Sequence, residues 1–122
     1  MVSVGHRVLI VDDHPSFRAS ARVLLESEGF TVVGEAPDGA TAVSETSRLR
    51  PEVVLLDVGL PDCDGFDVCA EIVGRVDGPV PAVILVSSRD ASDFGPLVSR
   101  SGARGFVPKA ELSGERLEAL LS

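Results

Sequence analysis

Three short, uninterrupted apolar runs constrain the fold of this chain more than any other sequence feature. They cover Val8 to Val11, Val53 to Leu56 and Ala82 to Val86, they are rich in β-branched residues, and each is followed directly by a polar residue. A strand of a parallel sheet is covered on both faces and reads as a continuous apolar run, whereas a strand with one wet face alternates. The runs therefore predict the inner strands of a parallel sheet.

The segments between these strands carry apolar residues at helical spacing. The predicted helical positions are Phe17, Ala21, Leu24 and Leu25, then Ala42, Val43, Thr46 and Leu49, then Phe66, Cys69, Ile72 and Val73. Weaker strand signals at Thr31 to Glu35 and Gly105 to Val107 suit sheet edges, and Ser113 can cap a last helix. About five strand-helix units predict a doubly wound α/β fold with helices on both faces of the sheet.

The fourth helix is expected to be short or labile. Gly95 and Pro96 interrupt the helical pattern of Ala91, Phe94, Leu97 and Val98. Glycine weakens a helix interior, and proline removes a backbone donor and clashes with the preceding turn.

Length and composition exclude several classes of protein. The 122 residues predict one domain, residues 1–122. No apolar run approaches the roughly 20 residues that span a bilayer, and the first residues lack the apolar core of a secretion signal, so we expect a cytoplasmic protein that does not enter the membrane. Cys63 and Cys69 lack zinc-ligand spacing and are interpreted as reduced packing residues. A net charge of −8 argues against direct nucleic-acid binding, so any DNA contact needs another domain.

Acidic residues follow two of the apolar strands at the point where each strand ends. Asp12 and Asp13 come directly after the first strand, and Asp57 comes directly after the third. Neighbouring strands lie about 4.8 Å apart, so these carboxylates should crowd together at one edge of the sheet. A cation relieves such repulsion, and oxygen-only ligands favour magnesium over zinc. The sequence therefore predicts a Mg²⁺ site at this edge.

A hydroxyl and an amine are predicted to reach the same edge. Ser87 follows the apolar run that ends at Val86, and Lys109 follows the short strand that ends near Val107. Carboxylates for a cation, a carboxylate nucleophile, a hydroxyl and a fixed positive charge together can hold a transferring phosphoryl group, a reaction that depends mainly on positioning and charge neutralisation.

Four motifs in this order resemble the receiver domains of two-component response regulators. They are V-D-D-H at 11 to 14, L-L-D-V-G-L-P-D-C-D-G at 55 to 65, V-S-S at 86 to 88 and G-F-V-P-K at 105 to 109. The resemblance implies a flavodoxin-like sheet of strand order 2-1-3-4-5. It also implies a partner, a sensor histidine kinase that donates the phosphoryl group. The residues of the motifs V-D-D-H and F-V-P-K resemble those of receivers joined to a C-terminal helix-turn-helix domain, which implies transcriptional output. The resemblance leaves open the formation of a homodimer on phosphorylation.

The resemblance also implies a role for each site residue. Asp57 is the phosphoacceptor, and Lys109 and Ser87 contact the phosphoryl oxygens. Magnesium is bound by the side chains of Asp13 and Asp57, by the backbone carbonyl of Gly59, and by Asp12 through water. Phe106 occupies the position of an aromatic switch that turns inward and remodels the surface formed by the fourth helix, fifth strand and fifth helix.

The chain departs from the family pattern at three places. Many receivers place a proline after the site lysine, whereas here Pro108 precedes Lys109 and Ala110 follows it, so the loop that holds Lys109 is expected to follow a different backbone path. Ser87 replaces the more frequent threonine, and Phe106 lacks the hydroxyl of a tyrosine.

Two other functions remain open from the sequence. A related aspartyl-phosphate hydrolase would need a second acid two residues after the nucleophile, where Gly59 stands. A phosphorylation-independent scaffold of the same fold would not need the acidic residues, Ser87 and Lys109. We therefore expect a signalling module that is not an enzyme toward other molecules. His14 is interpreted as a solvated residue at the start of the first helix rather than a ligand or phosphoryl relay.

Overall fold

The computed structural model describes residues 5–75 and 78–121. Within these residues the strands are β1 (Arg7–Val11), β2 (Thr31–Ala36), β3 (Val53–Asp57), β4 (Ala82–Ser87) and β5 (Gly105–Pro108). The α-helices are α1 (Pro15–Ser27), α2 (Gly39–Leu49), α3 (Gly65–Gly74), α4 (Leu97–Arg100) and α5 (Gly114–Leu121). Single 3₁₀ turns lie at Ala91–Phe94 and Lys109–Glu111.

The five strands form one parallel sheet in the order β2-β1-β3-β4-β5, which confirms the order that the family resemblance implies. Residues of the inner strands alternate between two apolar cores, one on each face. On one face Ile10, Leu55 and Ile84 pack with Leu25 of α1 and Leu117 of α5. The opposite core, which includes side chains of α2 and α3, contains Leu9, Val54, Leu85, Ala42 and Ile72. Burial on both faces explains why the inner strands have no alternating polar residues.

Local sequence signals fix the ends of the helices. Pro15 is the first residue of α1, where its missing N–H breaks no helical hydrogen bond. The Asp38 and Asp64 side chains cap α2 and α3 by accepting backbone N–H bonds, and Ser113 Oγ accepts the Arg116 N–H at the start of α5. Gly29 follows α1 with φ of 94°, a conformation that glycine adopts without strain.

The fourth helix is short, as the sequence predicts. The 3₁₀ turn that ends at Phe94 is separated from the four residues of α4 by Gly95 and Pro96. Gly95 has φ of 58° and ψ of −132°, which only glycine adopts readily. The two pieces therefore cannot join into one continuous helix, while the lability of this segment stays a prediction.

Both cysteines are free thiols that pack against the core on the α2 and α3 face. Cys69 is fully buried, and burial raises the pKa of its thiol. Burial, together with the neighbouring Asp62 carboxylate, raises the pKa of Cys63 to about 11. Both residues therefore carry the protonated, weakly reactive form of the thiol at neutral pH.

Candidate functional site

The carboxyl ends of β1 and β3 bring three acidic side chains together. Val11 pairs with Leu56 in the parallel register, so Asp12 and Asp57 stand next to each other where the two strands end. One ligand atom from each of Asp12, Asp13, Asp57 and His14 can be chosen so that all four lie within 4.8 Å of one another. The clustering of the carboxylates predicted from the strand ends is therefore confirmed.

The members of this acidic cluster differ in burial. Asp12 is fully buried and Asp57 is 5% exposed, whereas the Asp13 side chain remains 33% exposed. Two buried carboxylates side by side would be unstable without compensating charge, because burial and mutual repulsion both disfavour ionisation. The cluster therefore needs positive charge nearby.

Lys109 supplies such a charge from the end of β5. Its Nζ lies 2.6 Å from Asp12 Oδ2 and 3.5 Å from Asp57 Oδ2. The same Nζ lies 4.4 Å from the centroid of the Phe17 ring in α1, close enough for a cation-π interaction. Every peptide bond among the described residues is trans, and the chain after Pro108 turns directly into the 3₁₀ turn. The Lys109 ammonium thus lies between two carboxylates of the cluster and the face of an aromatic ring.

The two buried carboxyl groups are shifted in opposite directions. Burial raises the pKa of Asp12, but Lys109 and the hydrogen bonds from the His14 backbone and ring outweigh it, so the pKa lies below its ordinary value. Burial, with the charge of Asp12, raises the pKa of Asp57 although the Gly59 N–H and Lys109 act against it. The surroundings of Asp12 therefore stabilise its ionised form, whereas the ionised form of Asp57 is less stabilised.

Ser87 and Gly59 also lie at this edge of the sheet. Ser87 is the last residue of β4, one position beyond the register partner of Asp57, and it is 7% exposed. Its Oγ accepts the Arg89 backbone N–H at 3.0 Å, which leaves the hydroxyl proton available to an acceptor. Gly59 donates its backbone N–H to Asp57 Oδ1 at 3.1 Å, and the space where a side chain would stand is open.

Phe106 lies in β5, half-buried against the core on the α2 and α3 face. Its ring centroid is 5.7 Å from that of Phe94, and Phe94 is 5.4 Å from Phe66 of α3. The predicted switch residue therefore belongs to a row of three aromatic rings that joins β5 to the 3₁₀ turn and to α3.

Sequence reasoning missed the contacts of His14. The ring is 62% exposed, as expected of a solvated residue, but its Nδ1 lies 2.9 Å from Asp12 Oδ1 and 3.2 Å from Asp13 Oδ1. Position next to two aspartates was the signal that could have found it.

The contact of Asp62 with α2 is another that sequence position does not reveal. Its carboxylate accepts the backbone N–H groups of Gly39 and Ala40 at 2.9 and 3.1 Å, so the loop after β3 caps the first turn of α2 as well as preceding α3. Partial positive charge at a helix N-terminus stabilises a carboxylate placed there. These two hydrogen bonds, first that from Gly39, lower the pKa of Asp62.

The chemistry of the donor set fits a hard divalent cation. Two buried carboxylate oxygens have no hydrogen bond among the described residues: Asp13 Oδ1 has only its contact with the His14 ring, and Asp12 Oδ2 only its ion contact with Lys109. Buried carboxylate oxygens left in this condition are costly unless they bind a cation. Asp12, Asp13 and Asp57 supply the oxygen ligands that Mg²⁺ prefers.

A separate cleft of about 920 Å³ lies between α2 and α3 at the other end of the strands. It is lined by residues that precede β3 and β4, including Arg50, Pro51 and Pro81, and by none of the acidic cluster. Because this cleft contains none of the acidic cluster, the acidic edge remains the candidate site. As a separate matter, no helix in the described part of the chain has the length and apolarity needed to cross a membrane.

The profile of the response regulator receiver domain matches residues 8–121. The chain is 40% identical over 111 residues to the DNA-binding response regulator MtrA of Mycolicibacterium smegmatis, covering 89% of this chain and 46% of that protein. It is 33% identical over 125 residues to the transcriptional regulatory protein PdtaR of Mycobacterium tuberculosis, covering 97% of this chain and 61% of PdtaR. The chain thus spans about half the length of the curated relatives it matches.

Solved structures give the same result. A LuxR-family two-component response regulator from Aurantimonas matches with a TM-score of 0.85 and 31% identity over 96% of this chain and 85% of that one. The BeF₃-activated N-terminal receiver domain of Klebsiella pneumoniae RstA matches with a TM-score of 0.78 and 30% identity over 94% of each chain. Because sequence profile and fold agree over nearly its whole length, this chain belongs to the response regulator receiver domain family.

Proposed function

We propose that residues 1–122 form a receiver domain in which Asp57 accepts a phosphoryl group from a sensor histidine kinase. The observation that carries the proposal is the position of Lys109, whose Nζ bridges Asp12 and Asp57 at 2.6 and 3.5 Å. An ammonium fixed beside a nearly buried carboxylate can neutralise the charge that a phosphoryl group brings to it.

Asp57 is the carboxylate best suited to act as nucleophile. It ends β3, and Lys109 and the Gly59 N–H hold its side chain by one oxygen each. In the proposed step a carboxylate oxygen of Asp57 forms a bond to phosphorus while the bond from phosphorus to the donor nitrogen breaks. The products are an aspartyl phosphate and the free histidine of the kinase.

The remaining residues orient and neutralise the incoming group. Asp12, Asp13, Asp57 and the Gly59 carbonyl would hold Mg²⁺, which supplies charge neutralisation of the phosphoryl oxygens when bound. Lys109 would contact a phosphoryl oxygen with its ammonium, and Ser87 would donate its hydroxyl proton to another. The accepting bond from Arg89 to Ser87 Oγ is compatible with that donation, because it uses a lone pair and not the proton.

Phe106 is the proposed link between the site and an output surface. It follows Gly105 in β5, three residues before Lys109, and packs with Phe94 at the end of the 3₁₀ turn that precedes α4. Movement of Ser87 toward a phosphoryl group would open space for the Phe106 ring and change the surface of α4, β5 and α5. A few kcal/mol of differential interaction is enough to shift such an equilibrium.

The proposed output is transcriptional and acts through another domain. Relatives similar to this chain are named transcriptional or DNA-binding regulators, and this chain spans about half of their length. The net charge of −8 disfavours direct DNA binding by this domain. Phosphorylation would instead control a partner surface, with homodimer formation through the altered face as one form of that control.

The hydrolase alternative is disfavoured by the acids that surround Asp57. Gly59 stands where such an enzyme needs a general acid. Asp12 cannot replace it, because Lys109 and His14 lower the pKa of Asp12 and keep it ionised. A scaffold that ignores phosphorylation is disfavoured because a buried carboxylate cluster costs stability without a use.

The decisive experiment is treatment with a small-molecule phosphodonor followed by intact-mass measurement, with and without Mg²⁺. We expect the wild-type chain to gain one phosphoryl group only with Mg²⁺. Asp57→Asn should gain none, while Asp67→Asn, at an exposed acid of α3, should label like the wild type. Labelling of Asp57→Asn would move the acceptor elsewhere, steady turnover of phosphoesters would favour the hydrolase, and an unlabelled wild type would favour the scaffold.

A further inference from the structure

His14 adds a nitrogen donor to a cluster that otherwise offers only oxygen. Its Nδ1 is 2.9 Å from Asp12 Oδ1 and 3.2 Å from Asp13 Oδ1, and it belongs to the group of ligand atoms that lie within 4.8 Å of one another. The imidazole thus stands among the carboxylates proposed to bind the cation.

The His14 side chain has no competing structural task in the helix. It occupies the N-cap position of α1 but makes no side-chain capping bond, and Pro15 follows as the first helical residue. The His14 backbone N–H donates to Asp12 Oδ1 at 2.8 Å, which fixes the main chain beside the cluster. The ring itself is 62% exposed, so it can turn about its side-chain bonds without breaking the core.

We propose that His14 is a metal-selectivity residue that raises the affinity of this site for divalent transition ions that favour imidazole, such as Ni²⁺ and Zn²⁺, relative to Mg²⁺. The inference rests on the metal site of the proposed function and concerns which ions that site binds. Magnesium prefers oxygen ligands and keeps several of its waters, so the imidazole contributes little to its binding. Imidazole nitrogen suits transition ions, so the same ring adds a ligand for them.

A different role for His14 predicts a different result. If the imidazole were only a counter-ion for Asp12 and Asp13, any cation entering the cluster would have to displace it. Removing the ring would then change the affinities for Mg²⁺ and Ni²⁺ by the same factor, because both ions compete with it in the same way. The ratio of the two affinities therefore separates a ligand from a counter-ion.

The first test is calorimetric titration of the chain with Mg²⁺ and with Ni²⁺ at one fixed, mildly alkaline pH. We expect His14→Ala to weaken Ni²⁺ binding by at least about tenfold, the scale of losing a group that supports a metal site, with little change for Mg²⁺. His14→Asn should behave alike while retaining a residue favoured at the N-cap. His6→Ala is the matched control, because His6 precedes β1 at the opposite end of that strand.

The second test is spectroscopic and independent of phosphorylation. The sequence has two histidines, so the ring ¹⁵N signals of His14 can be followed beside those of His6. Zn²⁺ should move a His14 ring nitrogen to the position of a metal-bound nitrogen, whereas saturating Mg²⁺, which brings the same charge, should not. The Zn²⁺ effect should disappear in Asp13→Asn.

The outcomes are distinct from one another. Equal changes in Mg²⁺ and Ni²⁺ affinity, or identical ¹⁵N responses to Mg²⁺ and Zn²⁺, would overturn the role of His14 and leave the proposed function standing. Failure of the wild type to bind either ion would overturn the proposed metal site, and the selectivity role with it.

Discussion

At the scale of single residues, Lys109 holds the site together. It is the ammonium that faces Asp12 and Asp57, and its Nζ also lies over the Phe17 ring. Removing one partner of a buried ion pair leaves an uncompensated charge, which costs far more than the loss of an exposed pair. We therefore expect the stability of the domain to depend on this side chain.

We predict that Lys109→Met lowers the free energy of unfolding by about 3 kcal/mol at neutral pH. The variant keeps a long apolar side chain over Phe17 but leaves Asp12 and Asp57 without the ammonium. Lys109→Arg, which keeps the charge, should lose less. Urea denaturation of the three proteins measures these differences.

The loss in Lys109→Met should depend on pH. In the wild type the pKa of Asp12 is lowered, so its stabilising contribution is present above the ordinary carboxyl pKa of 3.8 and is lost as the pH falls through the folded-state value. In Lys109→Met the ammonium no longer lowers the pKa of Asp12, so that pKa is higher than in the wild type and protonation at low pH relieves the variant. The difference between the two proteins should shrink from pH 7 toward pH 3, and a constant difference would contradict the ion pair.

At the scale of elements, the start of α3 is pressed against the backbone that follows Asp57. A methyl group on Gly65 would lie 2.5 Å from the Asp57 carbonyl oxygen and 2.6 Å from the Val58 Cα. Main-chain atoms cannot rotate away as the end of a side chain can. The absence of a side chain at Gly65 therefore lets α3 begin where the loop of the candidate site ends.

We predict that Gly65→Ala lowers the free energy of unfolding by about 1 to 3 kcal/mol, the usual cost of overpacking. Gly74, at the other end of α3, is the matched control, because a methyl group there meets no atom within 4 Å. Gly74→Ala should raise the free energy of unfolding, by up to about 1 kcal/mol, since alanine favours the helix. Equal effects at both positions in chemical denaturation would exclude the steric explanation.

The broken fourth helix should exchange its amide hydrogens faster than the long helices. Residues 91–100 form one 3₁₀ turn and one α-helical turn, whereas α1 has 13 residues. Short elements with few buried side chains open at low free-energy cost. Hydrogen exchange followed by NMR should show lower protection for residues 91–100 than for α1 and α3, and equal protection would contradict the predicted lability.

At the scale of the whole molecule, a bound cation should couple the acidic edge to global stability. A ligand that binds only the folded state at 100 times its Kd adds about 2.7 kcal/mol to the free energy of unfolding. We predict this increase for Mg²⁺ in the wild type and a smaller one in Asp13→Asn. Thermal unfolding in Mg²⁺, with NaCl at equal ionic strength as control, measures it, and equal increases in both proteins would show that Asp13 is not a ligand.

The sheet could be predicted from the sequence because burial on both faces leaves a direct signature. After Arg7 at the start of β1, the inner strands contain nothing but apolar residues until they end, so Asp57 and Ser87 could be placed at the edge before their neighbours were known. The structure extends β3 and β4 by these residues, since both still pair with the adjacent strand. For residues at the end of a buried strand, both their position at the edge and the other residues that share that edge could therefore be predicted.

Contacts that depend on how separate elements meet could not be predicted. The bond from Asp62 to α2 joins residues 23 apart, and Glu28 at the end of α1 accepts the Gly114 N–H of α5 across 86 residues. The same limit applies to the turn of His14 toward Asp12, because side-chain direction depends on the space left by neighbours. The periodicity of apolar residues and the spacing of motifs carry no information about such contacts between separate elements.

The two sides of the acidic edge differ in how they are joined to the helices. The loop after Asp57 accepts hydrogen bonds from two backbone amides of α2 and then leads directly into α3, so its path is constrained at both ends. Across the edge, Ser87 leads into two brief helical pieces divided at Gly95. If residues 91–100 open as easily as predicted, bulk added between the two sides should meet less resistance toward the pieces near Gly95, and a deformation of this domain should then go in that direction.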